Sequence, residues 1–330
     1  MSIQEPTFQA TNDAPAPFST AALFVGATVL GSLFGVSVPE AGETISQGID
    51  ATLRLMIFLL LFELRLGAVF KAFSNARFLA VAFSANFLII PFIGSGVASL
   101  FFADAPLLFA ALMIYFLAPC TDWFLGFTRM AKGDTVLGAA LIPINMITQL
   151  LLFPIWLWLL TRSSGLVDLG TLPNMLFEWF LLPLLAAQAF RLVLERFTPS
   201  KTAEQFFSFA NRLVPYVLAA LIVQIFATHS GTISASPGIF VTVAQAVCAF
   251  FAATLLVGAT LSRLAGLDHP QHALLAMTMT ARNAPLMLAL TAVAVPDQPL
   301  VLAVIVSAML VEMPLLTALR ELLLFRARIR

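Results

Sequence analysis

Leu55–Phe62 reads LMIFLLLF, eight apolar side chains in succession. A membrane-spanning strand alternates polar and apolar residues over about ten positions; this run has no polar member, so it must cross as a helix. The surrounding texture is the same. Of 330 residues, 60% are apolar and 10% are Asp, Glu, Lys or Arg, against about 25% charged in soluble domains. One bilayer helix takes about 20 apolar residues, so this composition fills about ten spans joined by short polar links. The fold class that follows is an all-α integral membrane protein. The predicted spans are 20–37, 51–70, 77–101, 106–129, 136–161, 174–194, 206–228, 237–262, 272–294 and 299–320. Residues 1–19, rich in Pro, Thr and Ala and without Lys or Arg, read as a disordered cytoplasmic tail ahead of a transmembrane domain over 20–330.

The formal net charge is zero, so no basic surface offers itself to nucleic acid. The placement of the charges is informative. Lys71, Arg77, Arg129, Lys132, Arg191, Arg196, Lys201, Arg212, Arg263, Arg320, Arg326, Arg328 and Arg330 fall on one set of links, whereas Glu40, Glu43, Asp50, Asp104, Asp168 and Asp297 fall on the other, with Arg54 and Arg162. The positive-inside rule then puts both termini in the cytoplasm, and the plasma membrane is the expected location. Ten spans with matching termini divide into two halves of five that enter the membrane in opposite senses, the inverted repeat of many secondary transporters. The predicted repeats cover about 20–165 and 172–322. No face of the helices stands out as an oligomer contact, since they are apolar all round.

Spans 4 and 9 each carry a proline-containing irregularity near mid-depth: Ala118-Pro119-Cys120-Thr121-Asp122 and Ala281-Arg282-Asn283-Ala284-Pro285. Proline removes a donor and clashes with the preceding turn, so both spans are predicted to be broken, crossing helices. Asp122 and Arg282 sit at the breaks, where an isolated charge is costly. Either they pair as a crosslink, or Asp122 carries a proton or sodium ion while Arg282 meets substrate negative charge or activates a thiol. Cys120 is either a small packing residue or a soft ligand at the midplane; Cys248 reads as packing. With two cysteines in all, neither a disulfide framework nor a thiolate metal cage can be built. Asn145 and Gln149 share a helical face in span 5, and Glu312 lies inside the apolar run of span 10. Glu63 and Arg65, two apart, read as structural. Asp268, His269 and His272 cluster in a cytoplasmic link, but two histidines make a poor metal site, and no metal or cofactor is expected. Phosphate-loop and HExxH motifs are absent from the sequence, which favours a transporter over an enzyme.

The stretch Leu117–Asp134, LAPCTDWFLGFTRMAKGD, resembles the fourth-span signature of the arsenite permeases of the arsenical-resistance type, within the bile acid:sodium symporter superfamily. There too a cysteine precedes a KGD-like turn by the same interval. Asn145 and Gln149 match an Asn and a Gln spaced four apart after an Ala-Leu pair, and Leu310–Pro314 (LVEMP) is similar to the family's LVEVP. The resemblance implies an exporter of arsenite, often also antimonite, driven by proton exchange. It further implies a cysteine that binds metalloid between crossed spans 4 and 9, and a core of spans 3–5 and 8–10 moving against a panel of spans 1, 2, 6 and 7. On that basis Cys120, Asn145, Gln149, Arg282 and Asn283 are the expected substrate-binding residues, and Asp122 and Glu312 the proton- or ion-coupling ones. Two positions depart from the pattern. Span 9 of these permeases carries Asn-Asn-x-Glu, where this chain keeps only Asn283 and has Pro285 at the acidic position; the residue before the cysteine is usually Arg, and here it is Pro119. A second reading is a sodium-coupled symporter of an organic anion, with Arg282 holding a carboxylate. Cys120 favours metalloid; Arg282 favours anion.

Overall fold

The computed structural model describes residues 17–38, 40–64, 75–121, 123–161, 174, 177–235 and 237–329. The chain folds into helices: α1 (Pro17–Ser37), α2 (Ala41–Ser46), α3 (Ile49–Glu63), α4 (Ala76–Phe102), α5 (Pro106–Leu117), α6 (Phe124–Met130), α7 (Thr135–Thr161), α8 (Phe177–Phe197), α9 (Ser200–Thr228), α10 (Ser230–Ser234), α11 (Gly238–Leu264), α12 (His269–Thr280), α13 (Ala284–Ala294) and α14 (Pro299–Ile329). Among the described residues eight helices are long and apolar enough to cross a bilayer. The two remaining expected spans exist as pairs of shorter helices, α5 with α6 and α12 with α13, each too short to cross singly. The protein is therefore an all-α integral membrane protein with ten spans, two of them broken. Boundaries differ modestly from expectation: α3 stops at Glu63, and α14 runs nine residues past the expected end at 320.

Two packing groups share the membrane domain. Helices α1, α3, α8 and α9 pack on one another, and α4, α5, α7, α11, α12, α13 and α14 form the second group, with α6 against α7 and α12. The first group is held by close backbone approach. A Cβ on Gly31 would lie 2.7 Å from the Val223 carbonyl oxygen, and one on Gly35 would lie 2.3 Å from that of Ala227, so α1 rests directly on α9. Lipid gives no hydrophobic drive to helix association, and small residues at such spacing supply van der Waals contact instead. Gly35→Val is expected to cost about 1–3 kcal/mol through overpacking and to lower the melting temperature in detergent. Gly26→Val, with nothing within 4 Å of its Cβ, should leave it unchanged; equal melting of the two variants would refute the close-packing account.

Arg191, one of the cationic-link residues in the sequence, has its side chain buried in the first group. Its Nη1 donates to the carbonyl oxygens of Phe62 (3.0 Å) and Glu63, its Nε pairs with Glu195 at 2.9 Å, and its guanidinium covers the Phe207 ring. Gln188 Nε2 donates to Leu61 and Leu64 carbonyls. Together they satisfy the orphan carbonyls at the end of α3, which is how a span can stop at Glu63 inside packed protein.

The KGD turn has a local structural reason. Lys132 takes φ 56°, Gly133 donates to the Thr128 carbonyl at 2.8 Å, and Asp134 Oδ1 caps α7 by accepting from Val136 and Leu137 at 3.0 Å each. A Cβ on Gly133 would meet Thr128 Cγ2 at 2.6 Å. The motif thus ends α6 and starts α7.

Candidate substrate and coupling site at the helix crossing

The two breaks pair with each other. Pro119 and Arg282 form an antiparallel bridge in which the Cys120 N–H donates to the Ala281 carbonyl at 3.1 Å and the Asn283 N–H donates to the Ala118 carbonyl at 2.8 Å. Unsatisfied backbone in the bilayer interior costs several kcal/mol per group; here each break supplies the partner that the other lacks. Ala118 and Ala281 turn extended at the ends of α5 and α12. Pro285 lies in the first turn of α13, where a missing N–H leaves no intrahelical bond unmade. The proline that replaces the family's acid therefore starts a half-helix.

Two fully buried charged side chains clamp the crossing. Arg282 Nη1 donates to the Phe116 carbonyl at 2.9 Å and Nη2 to the Thr278 carbonyl at 2.6 Å, so one guanidinium closes the C-terminal turns of both α5 and α12. A cation there complements the partial negative charge of both helix ends. Its plane faces Phe250 at 5.6 Å, and Phe250 in turn stacks on Phe116. Nε has no hydrogen-bond partner among the described residues. Glu312, on α14, receives three donors: Tyr115 O–H, Trp123 Nε1–H at 2.9 Å and the Arg282 backbone N–H at 3.1 Å. Trp123 immediately precedes α6 and Arg282 stands two residues before α13, so the carboxyl meets the starts of the second half-helices while the guanidinium meets the ends of the first.

Polar side chains complete the crossing. Asn283 caps α13 through Oδ1, which accepts from Leu286 N–H at 3.3 Å, and reaches across to Thr121 Oγ1 at 2.9 Å through Nδ2. Cys120 is fully buried in the first break. Asn145 Nδ2 donates to Thr278 Oγ1, one helical turn before Arg282, and Gln149 follows on the same face of α7. Gln149 also lines a cavity with Leu117, Ala118 and Met287 beside the breaks.

Of the residues expected from sequence, the structure brings Cys120, Asn283, Arg282 and Glu312 together at the crossing, with Asn145 joined to it through Thr278 and Gln149 beside it. Asp122 lies outside the described residues. The Asp268, His269, His272 group is spent on structure: Asp268 caps α12, His269 meets the Ala131 carbonyl at 3.3 Å, and His272 meets Ser262 Oγ at 2.8 Å. Sequence reasoning missed Tyr115, Trp123, Thr278 and Asn86. The first two were hidden because aromatic side chains count as apolar. Asn86 is a lone amide in an apolar span, the signal that singled out Asn145.

Comparison with known proteins places this architecture. The model of the Sodium Bile acid symporter family matches residues 51–236, over half of the chain, taking in the first break and ending before the second. The chain belongs to that family. As a sodium bile acid symporter family member it is a multi-pass membrane transporter. It is also similar to the arsenical-resistance protein Acr3 of Corynebacterium glutamicum, with 25% identity over 283 residues that cover 82% of this chain and 75% of that protein. This similarity extends past the family match over most of the membrane domain.

Proposed function

We propose that this transporter exports trivalent arsenic, as arsenite and also antimonite, across the plasma membrane in exchange for protons, with both termini cytoplasmic. The observation that carries this reading is the fully buried Cys120 thiol at the crossing of two broken helices. Trivalent arsenic exchanges a hydroxyl for a thiolate, and a single soft ligand binds it without the permanence of a three-thiolate cage. Arsenous acid is largely neutral at neutral pH, so its site needs no strong positive charge. Similarity to an arsenical-resistance protein supports the same substrate. Glu312, the one buried acid among the described residues, is the proton carrier on the described side of the site, with Asp122 a second acid two residues from the thiol. Asn145, Gln149 and Asn283 bind substrate polar atoms, and Arg282 holds the frame of the site, its Nε free to face it. The halves 20–165 and 172–322 act as inverted repeats, one break in each, and the group containing α4, α5 and α11–α14 moves against the group containing α1, α3, α8 and α9 to alternate access.

The family match favours a second reading, sodium-coupled uptake of an organic anion. Against it stands Arg282, whose two Nη groups each donate to a helix-end carbonyl, of Phe116 and of Thr278, so that the guanidinium serves the frame of the crossing. Everted vesicles with an imposed proton gradient separate the two. Arsenite accumulation that is independent of sodium and lost in Cys120→Ser is the expected result. Sodium-dependent organic-acid uptake in right-side-out vesicles without arsenite movement would refute the export reading, and full arsenite transport by Cys120→Ser would refute the thiol mechanism.

A further inference from the structure

Helix α4 contains a single π-helical turn, Ala85–Ile89, in mid-span, and Asn86 lies within it. Such turns occur mostly as single-turn insertions, often at functional sites. Asn86 is completely buried and its Nδ2 donates to Thr278 Oγ1 at 3.0 Å. Asn145 Nδ2 donates to the same hydroxyl at 3.4 Å. One threonine oxygen therefore accepts from two amides and orients both, with their donor ends turned inward. Their carbonyl ends are left over: Asn86 Oδ1, Asn145 Oδ1 and the nearby Gln149 Oε1 are buried without a hydrogen-bond partner among the described residues. A buried carbonyl with no donor costs about 1–3 kcal/mol, so three in one region mark a place kept open for a ligand.

The cavity that Gln149 lines is walled by Phe87 of the π-turn, Leu117 and Ala118 at the first break, Trp156 of α7 and Met287 of α13. Of the three amides Gln149 lines it, while Asn86 precedes Phe87 in the chain and Asn145 lies one helical turn before Gln149. Its polar side chains are Gln149 and the Trp156 indole, with no carboxylate or cation. The orphaned amide oxygens call for a ligand that donates, and an uncharged wall disfavours an ion of either sign.

We infer that Asn86, Asn145 and Gln149 form an acceptor cluster that binds a small neutral polyhydroxy acid through its O–H groups, with Asn86 the specificity residue that the π-turn delivers. This rests on the metalloid reading of the same crossing and deepens it: the amides select the hydroxyls of the incoming acid, and the Cys120 thiol then bonds the central atom as its proton leaves with one hydroxyl as water, so that two hydroxyls stay on the amides. Substrate is recognised as the uncharged trihydroxy acid, and the deprotonated form, one donor poorer and charged, is refused.

The test uses the purified full chain in detergent, with tryptophan fluorescence, to which Trp156 contributes from the cavity wall, titrated with arsenous acid, boric acid and sodium chloride. Boric acid is a neutral trihydroxy acid without affinity for thiols. Wild type is expected to bind both acids and to ignore sodium. Asn86→Leu should weaken both about tenfold, the loss of one well-made buried hydrogen bond, while Cys120 alkylation proceeds at the wild-type rate. Asn86→Ala, judged folded by its melting temperature, serves if Asn86→Leu does not fold. Unchanged affinity for both acids in a folded Asn86 variant overturns the inference and leaves the metalloid reading standing. Boric acid binding that depends on Asn86, without arsenous acid binding, overturns the metalloid reading and leaves the acceptor cluster. A sodium response that disappears in the Asn86 variant overturns the inference in favour of a cation site.

Discussion

Arg282→Met is expected to leave little folded protein in the membrane and no transport. The change strips donors from two buried carbonyls, Phe116 and Thr278, each costing about 1–3 kcal/mol when left unsatisfied. It also leaves Glu312 buried while removing the fully buried cation at the crossing; breaking up such a charge arrangement from one side costs about 3–5 kcal/mol. The sum is comparable to the whole stability of a typical domain, about 5–15 kcal/mol. Arg282→Lys should fall between, because one ammonium keeps the charge but lacks the planar fork that spans two helix ends. Yield and melting temperature of detergent-solubilised protein measure this directly. Wild-type values for Arg282→Met would mean that the two carbonyls find other donors, and the clamp would have to be abandoned.

Glu312→Gln is expected to separate folding from coupling. The amide keeps the shape, and its oxygen still accepts from Trp123 or the Arg282 backbone, whereas its NH2 end confronts the Tyr115 hydroxyl, which can turn to accept. The protein should therefore fold with a modest loss of stability. It cannot take up and release a proton, so arsenite accumulation driven by a proton gradient in everted vesicles should fall to background while downhill arsenite movement persists. Retained gradient-driven accumulation in Glu312→Gln, with loss in Asp122→Asn, would assign the proton to Asp122 instead.

The sequence made the membrane class, the ten spans and the two breaks legible, for a physical reason. Span count follows from apolar length, and Pro119 and Pro285 flank backbone that cannot continue as helix. Pairing between the breaks was not legible: residues 119 and 282 are far apart in the chain, and a bridge of two hydrogen bonds leaves no periodicity. Cys120, Asn145, Gln149, Asn283 and Glu312 could be picked out as polar residues in apolar runs. The partners of Arg282 could not, because a charged side chain in a span suggests another charge, and here its donors go to backbone carbonyls at helix ends. The partners of Arg191 were hidden in the same way: a cation near a span end reads as a marker of the cytoplasmic face, and nothing in that reading says that its side chain also closes α3.

The bridge between Pro119 and Arg282 also has a mechanical meaning. Its two hydrogen bonds flank the Pro119–Arg282 pair, the widely spaced arrangement of an antiparallel ladder, and resist sliding of one broken helix along the other. The Arg282 guanidinium and the Asn283–Thr121 hydrogen bond tie the same crossing again. Four half-helices are thereby braced as one strut, and in the proposed alternation they travel as a single body, carrying the surroundings of Cys120 with them unchanged.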